Sequence, residues 1–155
     1  MDRNHAFIQL YGAVQRLSGR RLILDVSADN SVVKRSDGSL NFVAFPAAPS
    51  REPEANAQNT AQLRAYLDTL DIPYLFVLAP QKIQRGDTLL PTGVEDYGND
   101  NADRFLKVLE ETGTDYLDLR PVFEATQDYS AWFFKTDHHW RPEGAFLAWQ
   151  TVAGV

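Results

Sequence analysis

The segment Phe133-Phe134-Lys135-Thr136-Asp137-His138-His139-Trp140-Arg141-Pro142-Glu143-Gly144-Ala145 places one carboxylate beside two imidazoles. In an extended chain, residues two apart point to the same side, so Asp137 and His139 are expected to share a pocket while His138 faces away. A carboxylate hydrogen-bonded to one imidazole nitrogen fixes the ring's tautomer and supports its protonated form. The other nitrogen is then left to take a proton from a hydroxyl nucleophile. The pair reads as the aspartate and histidine of a Ser-His-Asp triad, with Asp137 as orienter and His139 as base. Pro142 suits the first turn of a helix, where its missing N–H costs nothing, so the pair is expected at a loop-to-helix junction.

Other residues compete for chemical roles. Lys82 could hold an anionic or acetyl-bearing substrate at the end of a strand, or simply be solvated. Trp140 reads either as core packing or as a platform facing a sugar. Asp137, His138, His139 and the distant His5 could be imagined around a metal, but adjacent histidines on opposite faces suit one site poorly. Catalytic zinc normally takes three protein ligands, so neither a metal nor any other cofactor is expected. Gly98-Asn99-Asp100 reads as a turn and helix cap, and Asp118 with Arg120 as a local structural contact. None of the seven serines, Ser18, Ser27, Ser31, Ser36, Ser39, Ser50 and Ser130, sits in a Gly-Asp-Ser or Gly-x-Ser-x-Gly setting, so none is nominated as nucleophile.

The elements that must position these residues follow from periodicity. Phe7, Leu10, Tyr11, Val14 and Leu17 fall at helical spacing before Gly19. Leu22-Ile23-Leu24 reads as a short strand, and Ser31 to Val43, with Asp37-Gly38 at its centre, as a hairpin. Pro46 to Glu54 reads as a loop. A long helix follows, with Leu63, Tyr66, Leu67 and Leu70 on one face. The apolar run Tyr74 to Ala79 then has the character of a parallel strand buried on both faces. After a long connection from Pro80 to Gly98, Phe105, Leu106, Val108 and Leu109 mark a helix ending at Gly113. Tyr116 to Leu119 supplies the next strand, and a last helix runs from about Pro142. Alternating helices and strands predict an α/β fold, a three-layer α/β/α arrangement around a mainly parallel sheet, with a small β-hairpin near the N-terminus. Residues 1–155 read as one domain, incomplete at its C-terminus and continuing into further sheet.

The motif residues resemble the DHHW protein family, named for the string at Asp137-His138-His139-Trp140, and its relatives among the alginate O-acetyltransferase proteins. Pro80-Gln81-Lys82 followed by Leu90-Pro91 is similar to a Pro-x-Lys and Leu-Pro pattern of those relatives. Asn101 to Leu106 and Pro142 to Ala145 add to a resemblance that covers about residues 70 to 150. It implies an SGNH-hydrolase-like (flavodoxin-like) domain, exported or membrane-tethered in bacteria, that acts on acetyl groups of a surface or secreted polysaccharide. An acetylated glycan and an acetyl-donor membrane protein are the implied partners. The resemblance gives Asp137 and His139 the orienter and base roles, with the serine later in the chain than the motif. Only sixteen residues follow His139, none of them serine. The chain is therefore expected to be either part of a longer enzyme or a carbohydrate-binding or polysaccharide-export accessory module without turnover. Arg141 stands where relatives often carry a hydroxyl residue able to cap the helix.

Composition agrees with a folded domain: 44% hydrophobic and 23% charged residues support a core and exclude the polar profile of disorder. A net charge of −6 argues against nucleic acid as a partner, since backbone phosphates call for clustered Lys and Arg. No apolar run approaches the roughly 20 residues a membrane-spanning helix needs, and the first residues lack a signal-peptide pattern. With no cysteine, disulfides and thiolate chemistry are excluded within these residues, and the redox compartment stays open.

Overall fold

The computed structural model describes residues 3–25, 30–43 and 52–155. Most of the expected loop from Pro46, together with Ser27 and Ser50, lies outside the described residues. Helix α1 (Arg3–Leu17) leads into strands β1 (Leu22–Asp25), β2 (Asn30–Lys34) and β3 (Leu40–Val43). These three form an antiparallel sheet in the order β1-β2-β3, with Leu22 opposite Val33 and Lys34 opposite Leu40. The expected hairpin is thus widened by a third strand. Its turn is built by Asp37, whose Oδ1 accepts the Ser39 amide at 3.0 Å and the Ser39 hydroxyl at 2.7 Å. Gly38 follows at φ 83°, the left-handed geometry that closes three-residue hairpin loops and that side chains resist.

Helix α2 (Glu52–Asp68), strand β4 (Phe76–Leu78), helix α3 (Gly98–Glu111) and strand β5 (Tyr116–Asp118) make up the central α/β unit. The two strands pair in parallel, Phe76 opposite Tyr116 and Leu78 opposite Asp118. Because side chains alternate across a strand, Phe76, Leu78 and Tyr116 pack on one side with Ala57 of α2 and Leu106, Val108 and Leu109 of α3. Leu117 packs on the other side, against Leu119, Phe123, Tyr129, Phe133 and Ala148. Those residues come from helix α4 (Arg120–Glu124), a 3-10 turn (Tyr129–Trp132) and helix α5 (Pro142–Ala153). Helices on both faces of a parallel pair give the expected three-layer α/β/α fold.

Three expectations change. The run from Tyr74 to Ala79 contributes only a three-residue strand, and it is not sealed on both faces: Leu75 is 38% and Val77 36% exposed. Its side chains alternate between half-buried and exposed, because one face is covered by α2 and α3 while the other is less fully packed. Secondly, the apolar stripe of α2 faces outward. Leu63 and Tyr66 are exposed, as is Leu70 just past the helix, while Leu67 is half-buried; the helix buries Pro53 and Ala57 near its start. Periodicity reports which residues share a face, and neighbours decide whether that face is covered. The same holds for Phe7, Leu10, Tyr11, Val14 and Leu17 of α1, all exposed. Finally, neither Asn99 nor Asp100 caps α3: Tyr97 holds the cap position without a side-chain cap, and Asp96 Oδ2, one residue earlier, accepts the Gly98 amide at 3.1 Å. Asn99 is buried instead and donates to the Ile83 carbonyl at 2.9 Å. No helix among the described residues is long and apolar enough to cross a membrane.

Candidate active site

Between the 3-10 turn and α5 the chain leaves the core and returns. Phe133 and Trp140 face each other in an isolated antiparallel bridge, and the Phe134 amide donates to the His139 carbonyl at 3.1 Å. The six residues between them form a tight, exposed excursion with its stem in the core: Phe133 is buried, and Trp140 stacks on Phe123 with ring centroids 6.0 Å apart. Gly144, in the first turn of α5, permits this approach. A β-carbon there would lie 3.1 Å from the Trp132 carbonyl oxygen and 3.3 Å from the Trp140 β-carbon. Pro142 opens α5 at its N-terminus as expected, and Arg141 occupies the cap position without a side-chain cap. Its guanidinium reaches Glu143 at 3.3 Å instead.

Within the excursion, Asp137 Oδ1 lies 2.7 Å from His139 Nδ1 and accepts the His139 amide at 3.1 Å. The pair forms through an Asx-type turn, in which an aspartate bonds the backbone two residues on, and not through strand alternation. The geometry of His138 is corrected accordingly. Its Nδ1 lies 3.1 Å from the same Asp137 oxygen, and its ring centroid is 4.1 Å from that of His139 and 4.9 Å from Phe42 of β3. Both histidines therefore gather on one carboxylate.

The backbone hydrogen bond from His139 does most to hold the Asp137 carboxyl below the usual aspartate range; burial opposes it, and the His139 side-chain hydrogen bond and charge add to the lowering. Asp137 is therefore an anion at neutral pH. The His139 side chain is 65% exposed, and among the described residues nothing hydrogen-bonds its Nε2. That nitrogen is open to a proton donor from solvent or substrate. Asp137, His138 and His139 each offer one ligand atom, all within 4.8 Å, so among the described residues these three could hold a metal ion. Only the His139 contact with Asp137 is a hydrogen bond; His138 Nδ1 approaches the same oxygen at ion-pair distance.

Of the remaining candidates, Lys82 is placed apart from both of its expected roles. Lys82 is only 3% exposed, and its ammonium is surrounded by backbone carbonyls, so it has no proton to offer a substrate. Trp140 is half-buried against the Phe123 cluster, the packing alternative of its two readings. Asp118 and Arg120 pair at 2.7 Å, and Arg120 also reaches Asp103 at 2.8 Å, a structural network at the end of β5. Among the described residues no serine hydroxyl is hydrogen-bonded to His139.

The parallel strand pair flanked by helices is the framework of an α/β domain, and the Asp-His pair sits at its loop-to-helix junction before α5. Residues 43–155 match the family described as SGNH hydrolase-like domain, acetyltransferase AlgX, and the chain belongs to that family. Among solved structures it is similar to Bacillus cereus PatB1, determined with a sulfonyl adduct, at 24% identity and a TM-score of 0.67. That likeness, one of fold, covers 86% of this chain and 44% of PatB1, so the chain spans less than half of that protein's length. No curated protein sequence matches.

Proposed function

We propose that this domain supplies the aspartate and histidine of an O-acetyltransferase or acetylesterase that works through a serine nucleophile. The observation that carries the reading is the 2.7 Å contact between His139 Nδ1 and Asp137 Oδ1, with the rest of the ring facing solvent. With Nδ1 protonated and held by the carboxylate, Nε2 is the basic nitrogen. It takes the proton of the serine hydroxyl as the oxygen attacks an acetyl carbonyl carbon, and the imidazolium formed is supported by Asp137. Collapse of the tetrahedral intermediate breaks the bond to the leaving alcohol, which receives that proton from His139. The acetyl-enzyme is then attacked by a second hydroxyl, of a glycan or of water, and His139 repeats the cycle. In this reading the serine lies outside residues 1–155, where the family resemblance puts it, later in the chain than the motif.

By the family resemblance, the substrate class is the acetylated hydroxyls of a bacterial surface or secreted polysaccharide, met outside the cytoplasm, with a membrane protein as acetyl donor. The test uses the product of the full reading frame: p-nitrophenyl acetate turnover and labelling by an aryl sulfonyl fluoride, which traps activated hydroxyls. Turnover and labelling that are both lost in His139→Ala support the reading. Glycan binding that survives His139→Ala, with no turnover in the unaltered protein, would replace it with a carbohydrate-binding module.

A further inference from the structure

Lys82 follows β4 in the sequence Pro80-Gln81-Lys82 and carries its charge into the interior. Its ammonium donates to the carbonyls of Phe134 at 2.6 Å, Leu40 at 2.8 Å, Asp137 at 3.0 Å and Lys135 at 3.2 Å. Three of the four acceptors belong to the excursion that bears the Asp-His pair, and the fourth opens β3. An ammonium has three protons and no acceptor, so four converging carbonyls use it fully. Burial lowers the affinity of Lys82 for its proton, as does the Arg35 guanidinium; the Asp37 and Asp137 carboxylates oppose both.

The excursion has little else to fix it. Residues 134–139 are all exposed and belong to no helix or strand. Among the described residues, the other contacts that hold it are those at its stem, the Leu40 amide, which donates to the Lys135 carbonyl at 2.7 Å, the internal bond from the His139 amide to Asp137, and the His138 ring against Phe42. The 80–83 segment that delivers Lys82 is itself anchored twice. The Tyr129 hydroxyl donates to the Gln81 carbonyl, and Ile83 is buried with Val33 and Val43 of the hairpin sheet.

We propose that Lys82 is a positioning residue: its ammonium gathers the carbonyls of residues 134, 135 and 137 and so sets the Asp137 carboxylate where His139 Nδ1 meets it. This inference rests on the functional reading above for its consequence, and on geometry alone for its structural part. A lysine suits the place because the cage converges on one point. The flat fork of an arginine would not match it, and an apolar side chain would leave four carbonyls without their donor.

The structural part is tested in this chain by long-range nitrogen-15 correlation spectra of its histidine rings, His139 being assigned by its loss in His139→Ala. A ring held by Asp137 shows the Nδ1-protonated neutral tautomer, whereas a free imidazole prefers Nε2–H. Lys82→Met is expected to keep dispersed core signals and to shift His139 toward the free pattern. Lys82→Cys, the only thiol in these residues, is expected to behave likewise and to regain the Nδ1–H pattern once aminoethylated with 2-bromoethylamine in denaturant and refolded. In the full-length product, Lys82→Met is expected to lower kcat by about 30-fold or more while KM changes less than about threefold. An unchanged His139 tautomer in Lys82→Met would overturn the proposal. So would loss of all core signals, since the lysine would then serve the whole fold. If the unaltered full-length protein is inactive, the esterase reading fails while the tautomer result still decides the role of Lys82.

Discussion

Replacing Asp137 by Asn isolates the charge of the pair from its shape. The carboxamide is isosteric, and its oxygen can still accept the His139 amide, now 3.1 Å from Oδ1, so the turn should persist. What is lost is the negative acceptor 2.7 Å from Nδ1, which both selects the tautomer and supports the imidazolium. In a triad whose aspartate is buried, this exchange lowers kcat by about 10⁴-fold. Here the Asp137 and His139 side chains are 46% and 65% exposed, so water can take over part of the stabilisation and screens the charge. The loss should therefore be about half as large on a logarithmic scale, about 10²-fold. The assay is p-nitrophenyl acetate turnover by the full-length product, with kcat and KM measured separately. The fall is expected in kcat, because the imidazolium exists only once the proton has moved. A loss under about fivefold, or one confined to KM, would refute Asp137 as the orienter of His139.

Further outcomes follow from the packing. Gly144→Ala gains about 1 kcal/mol of helix propensity, but its β-carbon would sit 3.1 Å from a carbonyl oxygen already fixed by the Arg141 amide at 2.7 Å. Overpacking costs about 1–3 kcal/mol, so a net destabilisation of about 1 kcal/mol is expected in urea unfolding followed by tryptophan fluorescence. Arg35 and Asp87 pair at 2.8 Å with side chains 3% and 4% exposed. Arg35→Met should cost about 3–5 kcal/mol by stranding a buried carboxylate, and the double variant Arg35→Met/Asp87→Leu should recover part of it in the same unfolding assay. Burial alone would raise the Asp37 carboxyl, but the Ser39 hydroxyl and amide with Arg35 and Lys82 hold it below its ordinary 3.8. A depressed carboxyl adds stability above its unfolded value and loses it as pH falls through the folded one. The urea midpoint of Asp37→Asn should therefore lie below that of the unaltered chain at pH 7, and the two should converge below about pH 4.

The parts of this fold written in local pattern were legible: the helical spacing of α1 and α3, the Asp37-Gly38 turn, and Pro142 opening α5. Coverage was not. The outward stripe of α2 and the half-covered β4 have the apolar character of buried elements, and periodicity carries no information about what lies opposite. The Asp137–His139 contact was anticipated for a different reason from the one observed. Strand alternation would have sent His138 away, whereas an aspartate two residues before an amide can close on it locally, which the sequence allows equally well. Choosing between the two requires knowing that residues 134–139 leave the bridge as a turn.

The role of Lys82 was hidden for a deeper reason. Its four acceptors are backbone carbonyls, which every residue possesses, and they lie 42 to 55 positions away in sequence. No choice of residue type at positions 40, 134, 135 or 137 announces them. A lone lysine after an apolar strand looks the same whether it is solvated, substrate-facing or caged, and only closure of the hairpin sheet, the 80–83 segment and the excursion upon one another decides among the three. The Asp-His pair is local in sequence, but the place it occupies depends on this long-range closure. Its function should accordingly respond to changes at position 82, which the motif itself does not contain.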